Sequence, residues 1–170
     1  MAFMHDPVLY APWRLDYIKG LDKSAAGGCF LCAAAAAAAG SPEQKKAALL
    51  VWASEHCVVV VNRYPYANGH LLVAPKTHKS ELEELSDAEG LDLHRQTTAA
   101  VSLLRRAVSA QGFNLGCNLG RVAGAGLPGH FHHHVVPRWN GDINFMSVVG
   151  DVRVVPQAMN QLYDELVRLT

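Results

Sequence analysis

The sequence lacks both a charge imbalance and a long apolar run. Lysine plus arginine and aspartate plus glutamate both number 15, so the formal net charge is zero and gives no basis for binding nucleic acid or a membrane surface. The longest apolar stretch, around residues 33–39, is too short for a span of about 20 residues. No basic segment followed by an apolar one opens the sequence. We therefore expect a cytoplasmic protein that holds any anionic ligand by local contacts.

Cysteine is also scarce, and only two of the four cysteines are close together. So few thiols in a chain of this length argue against a secreted disulfide framework. Cys57 and Cys117 lie in strand-like runs that are typical of core residues. Cys29 and Cys32 form a Cys-x-x-Cys pair, which by itself indicates a redox motif, a structural metal site or chance. The β-α context of a thioredoxin-like redox motif is absent.

Half of the 170 residues are hydrophobic, which suits one domain that spans the chain. We divide residues 1–170 into an N-terminal arm (1–48), a core (49–139) and a C-terminal extension with a helix (140–170). Seven alanines at 33–39 favour a short surface helix in the arm, because alanine has the highest helix propensity.

The patterns after residue 48 predict an α+β fold with an antiparallel sheet. Ser86 and Glu89 form a capping box that starts the main helix, which continues to about Gln111, and a last helix covers residues 156–169. Regular alternation of strands and helices is absent, which argues against a parallel sheet. The β-branched and apolar runs predict strands at residues 49–53, 58–62, 70–74, 113–119 and 130–136.

Four histidines stand within five positions in the segment 130–137, which reads HFHHHVVP. In a strand, alternate side chains share a face, so His130, His132 and His134 form a row with steps of about 6.6–7 Å, and His133 faces the other way. Metal ligands lie about 2 Å from zinc, so the outer two histidines of this row are too far apart to share one ion. A three-histidine metal site is therefore disfavoured.

A glycine-rich loop at residues 120–129 directly precedes the histidine row. It lacks the lysine that a nucleoside-triphosphate P-loop requires. Glycines let backbone N–H groups approach a phosphate closely and form an anion-binding nest without net charge. An ordinary flexible turn is the alternative, and taken alone the glycines favour it. Directly before the histidine row, the loop would instead place a phosphate-binding site next to reactive imidazoles.

The segment HFHHHVVPRW resembles the signature of the histidine-triad (HIT) superfamily, in which histidines alternate with hydrophobic residues. Residues 58–75, reading VVVVNRYPYANGHLLVAP, resemble its nucleotide-pocket strands. Residues 10–18 and 137–146 resemble its bacterial diadenosine-polyphosphate branch. The resemblance implies the HIT-like fold, with an antiparallel sheet of about five strands, one long helix and a C-terminal helix, and it implies a homodimer.

The resemblance also implies residue roles. His132 would attack the α-phosphorus and form a covalent nucleotidyl-histidine, a task that suits imidazole because it is nucleophilic near neutral pH. His134 would lie against the α-phosphate oxygens, and His70 would complete the pocket. Asn62 would meet the ribose hydroxyls. The remaining nucleotide contacts are expected from Asn118 and from the loop residues Gly124, Gly126 and Leu127.

The same resemblance implies a structural zinc site, and a vestigial site in which these residues simply pack is the alternative. Some bacterial HIT proteins and the related galactose-1-phosphate uridylyltransferases bind zinc with such a cysteine pair and two histidines, which match Cys29, Cys32, His78 and His130 here. Two thiolates and two imidazoles satisfy tetrahedral zinc, and a closed site of this kind is structural.

The predicted function is cleavage of nucleoside or dinucleoside polyphosphates at the α-phosphate, with release of an AMP-like product. A phosphorylase or adenylyltransferase would pass the nucleotidyl group to phosphate instead, and the sequence leaves that choice open. A nucleotide-binding regulator with little turnover is an alternative of another class. A metallohydrolase with a clamp from His130 and His132 lacks the nearby acidic ligand that such sites need.

Overall fold

The computed structural model describes residues 28–142 and 155–170. Residues 10–18 and 143–146, which carry part of the predicted resemblance, lie outside these ranges. In chain order the elements are α1 (Phe30–Ala37), α2 (Pro42–Ala47), β1 (Leu50–Ala53), β2 (Cys57–Val61), β3 (Leu71–Pro75), α3 (Asp87–Ala107), β4 (Gly112–Gly116), β5 (His133–Arg138) and α4 (Met159–Arg168).

The five strands form one antiparallel sheet in the order β1-β2-β3-β5-β4, which confirms the predicted α+β class. β2 reads CVVVV and is buried along its whole length, as suits a central strand of β-branched residues. Among residues 28–142 and 155–170, no helix has the length and hydropathy that a membrane crossing requires.

One face of the sheet, the helix face, packs against α3 and α4. Burial of each large aliphatic side chain here stabilises the fold by roughly 1.5–3 kcal/mol. This cluster is the main core of the domain and includes Val59, Val61, Leu71, Val73, Val135, Leu93, Leu104, Leu162 and Leu166.

The opposite sheet face, the second face, packs against α1. Leu31 and Ala34 of this helix are fully buried against Val58, Val60 and Leu72. This arrangement differs from the predicted surface helix. The central strands are apolar on both faces, so the second face also needs a cover, and small alanine side chains let α1 lie close to it.

The strand that carries the histidines differs from the prediction for residues 130–136. The ladder to β3 ends at the pair Val73 and His133, and the Phe131 amide donates to the Lys79 carbonyl at 2.6 Å instead. Residues 130–132 therefore lie alongside the loop after β3 and do not extend the ladder between β3 and β5. Pro137 does not end β5, because Phe113 of β4 is its neighbour on one side and the ladder to β3 has already stopped.

The start of α3 is tied to the loop that follows β3. The capping box of Ser86 and Glu89 is present, as predicted. The buried Glu89 carboxylate also accepts hydrogen bonds from Thr77 and from Lys79. Lys79, then Thr77 and the Ser86 amide, lower the pKa of Glu89 to about 2. This carboxylate therefore holds the residues on both sides of His78.

Replacement of this carboxylate tests its contribution to stability. Glu89→Gln should destabilise the domain by about 1–3 kcal/mol, because buried donors lose a charged acceptor. The folded carboxyl has a pKa of about 2, against about 4.3 when unfolded. Its contribution is therefore complete above the unfolded pKa and is lost as the pH falls through the folded one.

The measurement is urea unfolding from pH 7 to pH 2.5. The exposed Glu83, which lies in the same region, gives the matched control Glu83→Gln. Equal unfolding free energies for both variants at pH 7 would contradict the assigned role of Glu89.

Candidate functional site

The register of β5 sorts the histidines onto two faces. His134 pairs with Leu72, whose side chain lies on the second face, and His133 pairs with Val73, which lies on the helix face. Directly opposed residues in an antiparallel pair share a face. The His132 and His134 rings lie 5.0 Å apart between centroids, whereas His133 lies 3.4 Å from the Thr97 hydroxyl of α3. The alternation predicted from the sequence is confirmed from His132 onward.

His132 is held in a defined tautomer. Its Nδ1 lies 2.8 Å from the backbone carbonyl of His130. A carbonyl only accepts, so Nδ1 carries the proton and Nε2 keeps its lone pair. Burial lowers the pKa of His132, while the hydrogen bond to His130 opposes that shift. The neutral ring thus presents a nucleophilic nitrogen.

His70 enters the site from the turn before β3. Gly69 precedes it at φ +81°, where a Cβ would lie 3.0 Å from Leu104 and 3.2 Å from Pro137. Only glycine suits this conformation and this close approach. The turn thereby places the fully buried His70 beside β5.

Two N–H groups fix the tautomer of His70. The backbone amide of Tyr66 and the side-chain Nδ2 of Asn62 both lie 3.1 Å from His70 Nδ1. The Asn62 amide is oriented because its Oδ1 accepts the Tyr64 N–H at 3.0 Å. His70 Nδ1 is therefore an acceptor, and Nε2 carries the proton.

The hydrogen bond from His70 in turn fixes the tautomer of His134. His70 Nε2 donates to His134 Nδ1 at 3.0 Å, so the proton of His134 is on Nε2. That atom is buried and has no partner among the residues that the structure describes. An unsatisfied buried donor costs about 1–3 kcal/mol, and an acceptor brought by a ligand would relieve that cost.

Burial keeps this pair neutral. Loss of solvation, followed by the neighbouring histidines His134 and His132, lowers the pKa of His70 to about 3. Loss of solvation, followed by His132 and His133, lowers the pKa of His134 to about 4. The site therefore meets a ligand with oriented dipoles and not with imidazolium charge.

A second cluster lies next to the nucleophilic segment. Cys29 caps the N-terminus of α1, Cys32 lies in its first turn, His78 follows β3 and His130 precedes β5. One ligand atom from each lies within 4.8 Å of the others. The structure brings together all four residues that were predicted as metal ligands, and the cluster can hold a metal ion.

Hydrogen bonding orients the ligand atoms of this cluster. His130 Nε2 donates to the Pro75 carbonyl at 2.9 Å, which leaves the Nδ1 lone pair facing Cys29 Sγ at 3.1 Å and Cys32 Sγ at 3.5 Å. His78 Nδ1 lies 3.2 Å from Cys32 Sγ. A backbone acceptor behind a metal-binding histidine is the usual way to fix its tautomer.

The glycine-rich loop lies at the surface beside the site. The Asn118 side chain donates to the Gly124 carbonyl at 3.4 Å, and Gly124 has φ +88°. Gly126 is exposed, whereas Leu127 packs with the apolar cluster of the second face. Leu127 thus anchors the loop to the sheet face that carries His132 and His134.

Sequence reasoning missed two parts of the site. Tyr66 contacts both His70 and His134, and its only signal was an aromatic residue inside a turn. The carbonyls of Pro75 and Lys79 hold the segment around His130, and backbone groups give no sequence signal at all.

A family model described as the HIT domain matches residues 43–141, more than half of the chain. The chain belongs to the HIT domain family. The predicted superfamily is therefore confirmed, and the matched range carries every histidine of the site.

Two curated relatives and one solved structure extend this comparison. AP-4-A phosphorylase of Mycobacterium tuberculosis is 46% identical over 100 residues, which cover 59% of this chain and 51% of that protein. The asymmetrical bis(5'-nucleosyl)-tetraphosphatase of Schizosaccharomyces pombe is 32% identical over 89 residues, 52% of this chain and 48% of that protein. The chain spans about half the length of these curated relatives.

The solved structure is a Zn-bound histidine triad family protein from Mycobacterium smegmatis. It is 25% identical, with a TM-score of 0.64 over 84% of this chain and 92% of that one. Its fold therefore matches this HIT domain over nearly its full length.

Proton titration tests the tautomers and charges of the site. Both His70 and His134 should stay neutral well below pH 6, because burial lowers both pKa values. In the unfolded chain both histidines have a pKa of about 6.5, which is higher than in the folded protein. Their full contribution to stability is therefore present above about pH 6.5. Their contribution should fall on acidification toward pH 4.

The measurement is NMR of the imidazole nitrogens in histidine-labelled protein between pH 7 and pH 4.5, with the urea-unfolded chain as the control. Titration of His70 or His134 near 6.5 in the folded protein would contradict the buried, neutral pair.

Proposed function

We propose that this chain transfers a nucleotidyl group from a nucleoside or dinucleoside polyphosphate, of the diadenosine polyphosphate type, through His132. The observation that carries the proposal is the pair of opposite tautomers. His132 presents the lone pair of Nε2, and His134 presents the proton of Nε2. A nucleophile and a hydrogen-bond donor thus lie side by side on one face of the sheet.

The chemistry follows from these two nitrogens. His132 Nε2 forms a bond to the α-phosphorus, and the bond from that phosphorus to the bridging oxygen breaks, with its electron pair leaving on the departing phosphate chain. The imidazole becomes cationic in this step. Its Nδ1–H bond to the His130 carbonyl then strengthens, since a charged donor makes a stronger hydrogen bond.

His134 stabilises the charge that develops on the phosphorus oxygens. Its buried Nε2–H has no acceptor in the described part of the chain, so an α-phosphate oxygen would fill that place. Donors that are already oriented before the reaction contribute most to this kind of catalysis. Backbone amides of the loop at residues 120–129 would meet the remaining phosphates.

The nucleotide contacts remain part of the proposal. The Asn62 side chain accepts a hydrogen bond from the Tyr64 N–H and donates one to His70 Nδ1. Its amide has a second lone pair and a second N–H, which are available for ribose hydroxyls. Asn118, Gly124 and Gly126 lie in or beside the exposed loop, where a polyphosphate can reach them.

The acceptor of the nucleotidyl group is phosphate or water. The printed name of the M. tuberculosis relative favours phosphate, and that of the S. pombe relative favours water. We favour phosphate because the former relative shares the higher identity. Phosphorolysis releases a nucleoside diphosphate, whereas hydrolysis releases a nucleoside monophosphate.

Kinetics with diadenosine tetraphosphate test this function. His132→Ala should lower kcat/KM by on the order of 10⁴-fold or more, because nothing replaces the nucleophile. The parent should release ADP when phosphate is present and AMP when it is omitted, as chromatography of the products would show.

The helix-face residue His133 gives the matched control. His133→Gln should keep most of the parent rate, since the side chain lies on the far side of the sheet. Equal rates for His132→Ala and the parent would contradict the covalent route. Release of AMP and ATP without ADP when phosphate is present would show that water is the acceptor.

We further propose that the ion of the cysteine and histidine cluster is a structural zinc. Tetrahedral zinc with these donors needs ligand atoms about 3.3–3.8 Å apart, and the sulfur–nitrogen contacts of 3.1, 3.2 and 3.5 Å approach that range. Zinc in the M. smegmatis family member supports the choice of metal.

Zinc would stabilise the segment that carries the nucleophile. The side chain of His130 belongs to the cluster, and the carbonyl of the same residue holds His132 Nδ1. The described cluster does not include His132, so this nucleophile remains available. That placement also gives no support to a metallohydrolase clamp.

Removal of the thiols tests the zinc proposal. Purified parent should hold about one zinc per chain, and Cys29→Ser with Cys32→Ser should hold none. Because metal binding is linked to folding, the double variant should melt at least about 5 °C lower. The measurements are metal analysis by mass spectrometry and thermal unfolding.

The half-buried Cys117 gives the control Cys117→Ser, which should keep the metal. A parent without zinc, or a double variant that melts with the parent, would contradict a structural zinc.

The homodimer and the cytoplasmic location stay predictions. β4 is an edge of the sheet as far as the described strands show, and Leu115 on this strand is 54% exposed. Such an edge can extend a sheet across a two-fold axis. The regulator with little turnover would use the same pocket, and no contact among residues 28–142 and 155–170 favours it over an enzyme.

A further inference from the structure

Tyr66 is the aromatic residue that touches both members of the neutral histidine pair. Its ring centroid lies 4.7 Å from that of His70 and 5.7 Å from that of His134, and the Tyr66 ring is 25° from parallel to the His134 ring. Tyr66 is 45% exposed, whereas His70 is fully buried. The tyrosine ring therefore covers the pair on its solvent side.

The hydrogen bond from His70 does not fix His134 by itself. It holds one ring atom, Nδ1, at 3.0 Å, and a ring held at one point can still tilt about that contact. The near-parallel Tyr66 ring restrains the plane of the imidazole as well. Two restraints on different parts of the ring define the direction of Nε2–H.

We propose that the Tyr66 ring is a positioning group for His134, which holds the imidazole plane so that the Nε2 proton points at the transferred phosphate. The inference rests on the proposed function, because that proton has a use only if a phosphate binds there. Tyr66 also donates its backbone N–H to His70 Nδ1, so one residue orients the pair through both its backbone and its ring.

The cover also keeps water from the pair. Loss of solvation is the main reason that the pKa of His134 lies below its ordinary value. The other titratable groups that bear on His134 in the described residues are His70, His132 and His133. Removal of the ring would leave those groups in place and admit water to the outer side of His134.

Three variants separate this role from a general effect on the turn. Tyr66→Leu removes the ring, Tyr66→Phe keeps it, and Tyr64→Leu removes a ring of equal exposure two residues earlier in the same turn. Every backbone N–H of the turn is kept in all three. Thermal unfolding identifies any variant that has lost its fold.

With diadenosine tetraphosphate as the substrate, Tyr66→Leu should lower kcat about 2- to 10-fold, the value of one aromatic stacking contact. Its KM should stay within about twofold of the parent, since a positioning group acts on the reacting step. Tyr66→Phe should restore the parent rate, and Tyr66→Leu should be slower than Tyr64→Leu, which measures the general effect of losing a ring from this turn. A fall in kcat no larger than that of Tyr64→Leu, or a rise in KM alone, would overturn the inference.

Nitrogen NMR of His134 provides a readout that does not depend on turnover. The parent and Tyr66→Leu should both carry the proton on Nε2, because His70 still donates to Nδ1, but the Nε2 signal of Tyr66→Leu should shift and broaden as the ring plane becomes free to tilt. An unchanged His134 spectrum in Tyr66→Leu would overturn the positioning role. If the parent fails to cleave the substrate, the proposed function fails, and this spectrum still decides whether Tyr66 orients His134.

Discussion

The hydrogen bond from His132 Nδ1 to the His130 carbonyl is the contact on which the site depends. It fixes which nitrogen of His132 has a lone pair, and it directs that nitrogen away from the backbone. The same residue, His130, places its side chain in the cysteine and histidine cluster and donates to Pro75. A single residue thus joins the metal-binding cluster to the nucleophile, so the backbone position of His130 controls both.

A second series of contacts sets the opposite tautomer in His134, with the proton on Nε2. Asn62 and Tyr66 give two N–H groups to His70, and His70 gives its own proton to His134. Buried imidazoles with lowered pKa values suit this arrangement, because each ring must be both a donor and an acceptor. A chain with no net charge can in this way present a phosphate site that is built from oriented dipoles.

Strand periodicity predicted a large part of this arrangement. Alternation assigned His133 to one face and His132 with His134 to the other, and the β5 register agrees. The start of β5 was beyond the sequence because it depends on the backbone hydrogen bond from Phe131 to Lys79. The burial of α1 was also beyond it, because it depends on which segment covers the second face. Tyr66 was missed because its role depends on the turn that carries it. That turn places the ring over two histidines that are far apart in the sequence.

The position of the covalent bond is the most direct test of this account. Histidine-labelled protein, quenched during turnover of diadenosine tetraphosphate, can be examined by NMR for coupling between imidazole nitrogen and phosphorus. We predict a single adduct at Nε2 of His132, with the proton still on Nδ1. An adduct at Nδ1, or on another residue, would contradict the central role of the His130 carbonyl.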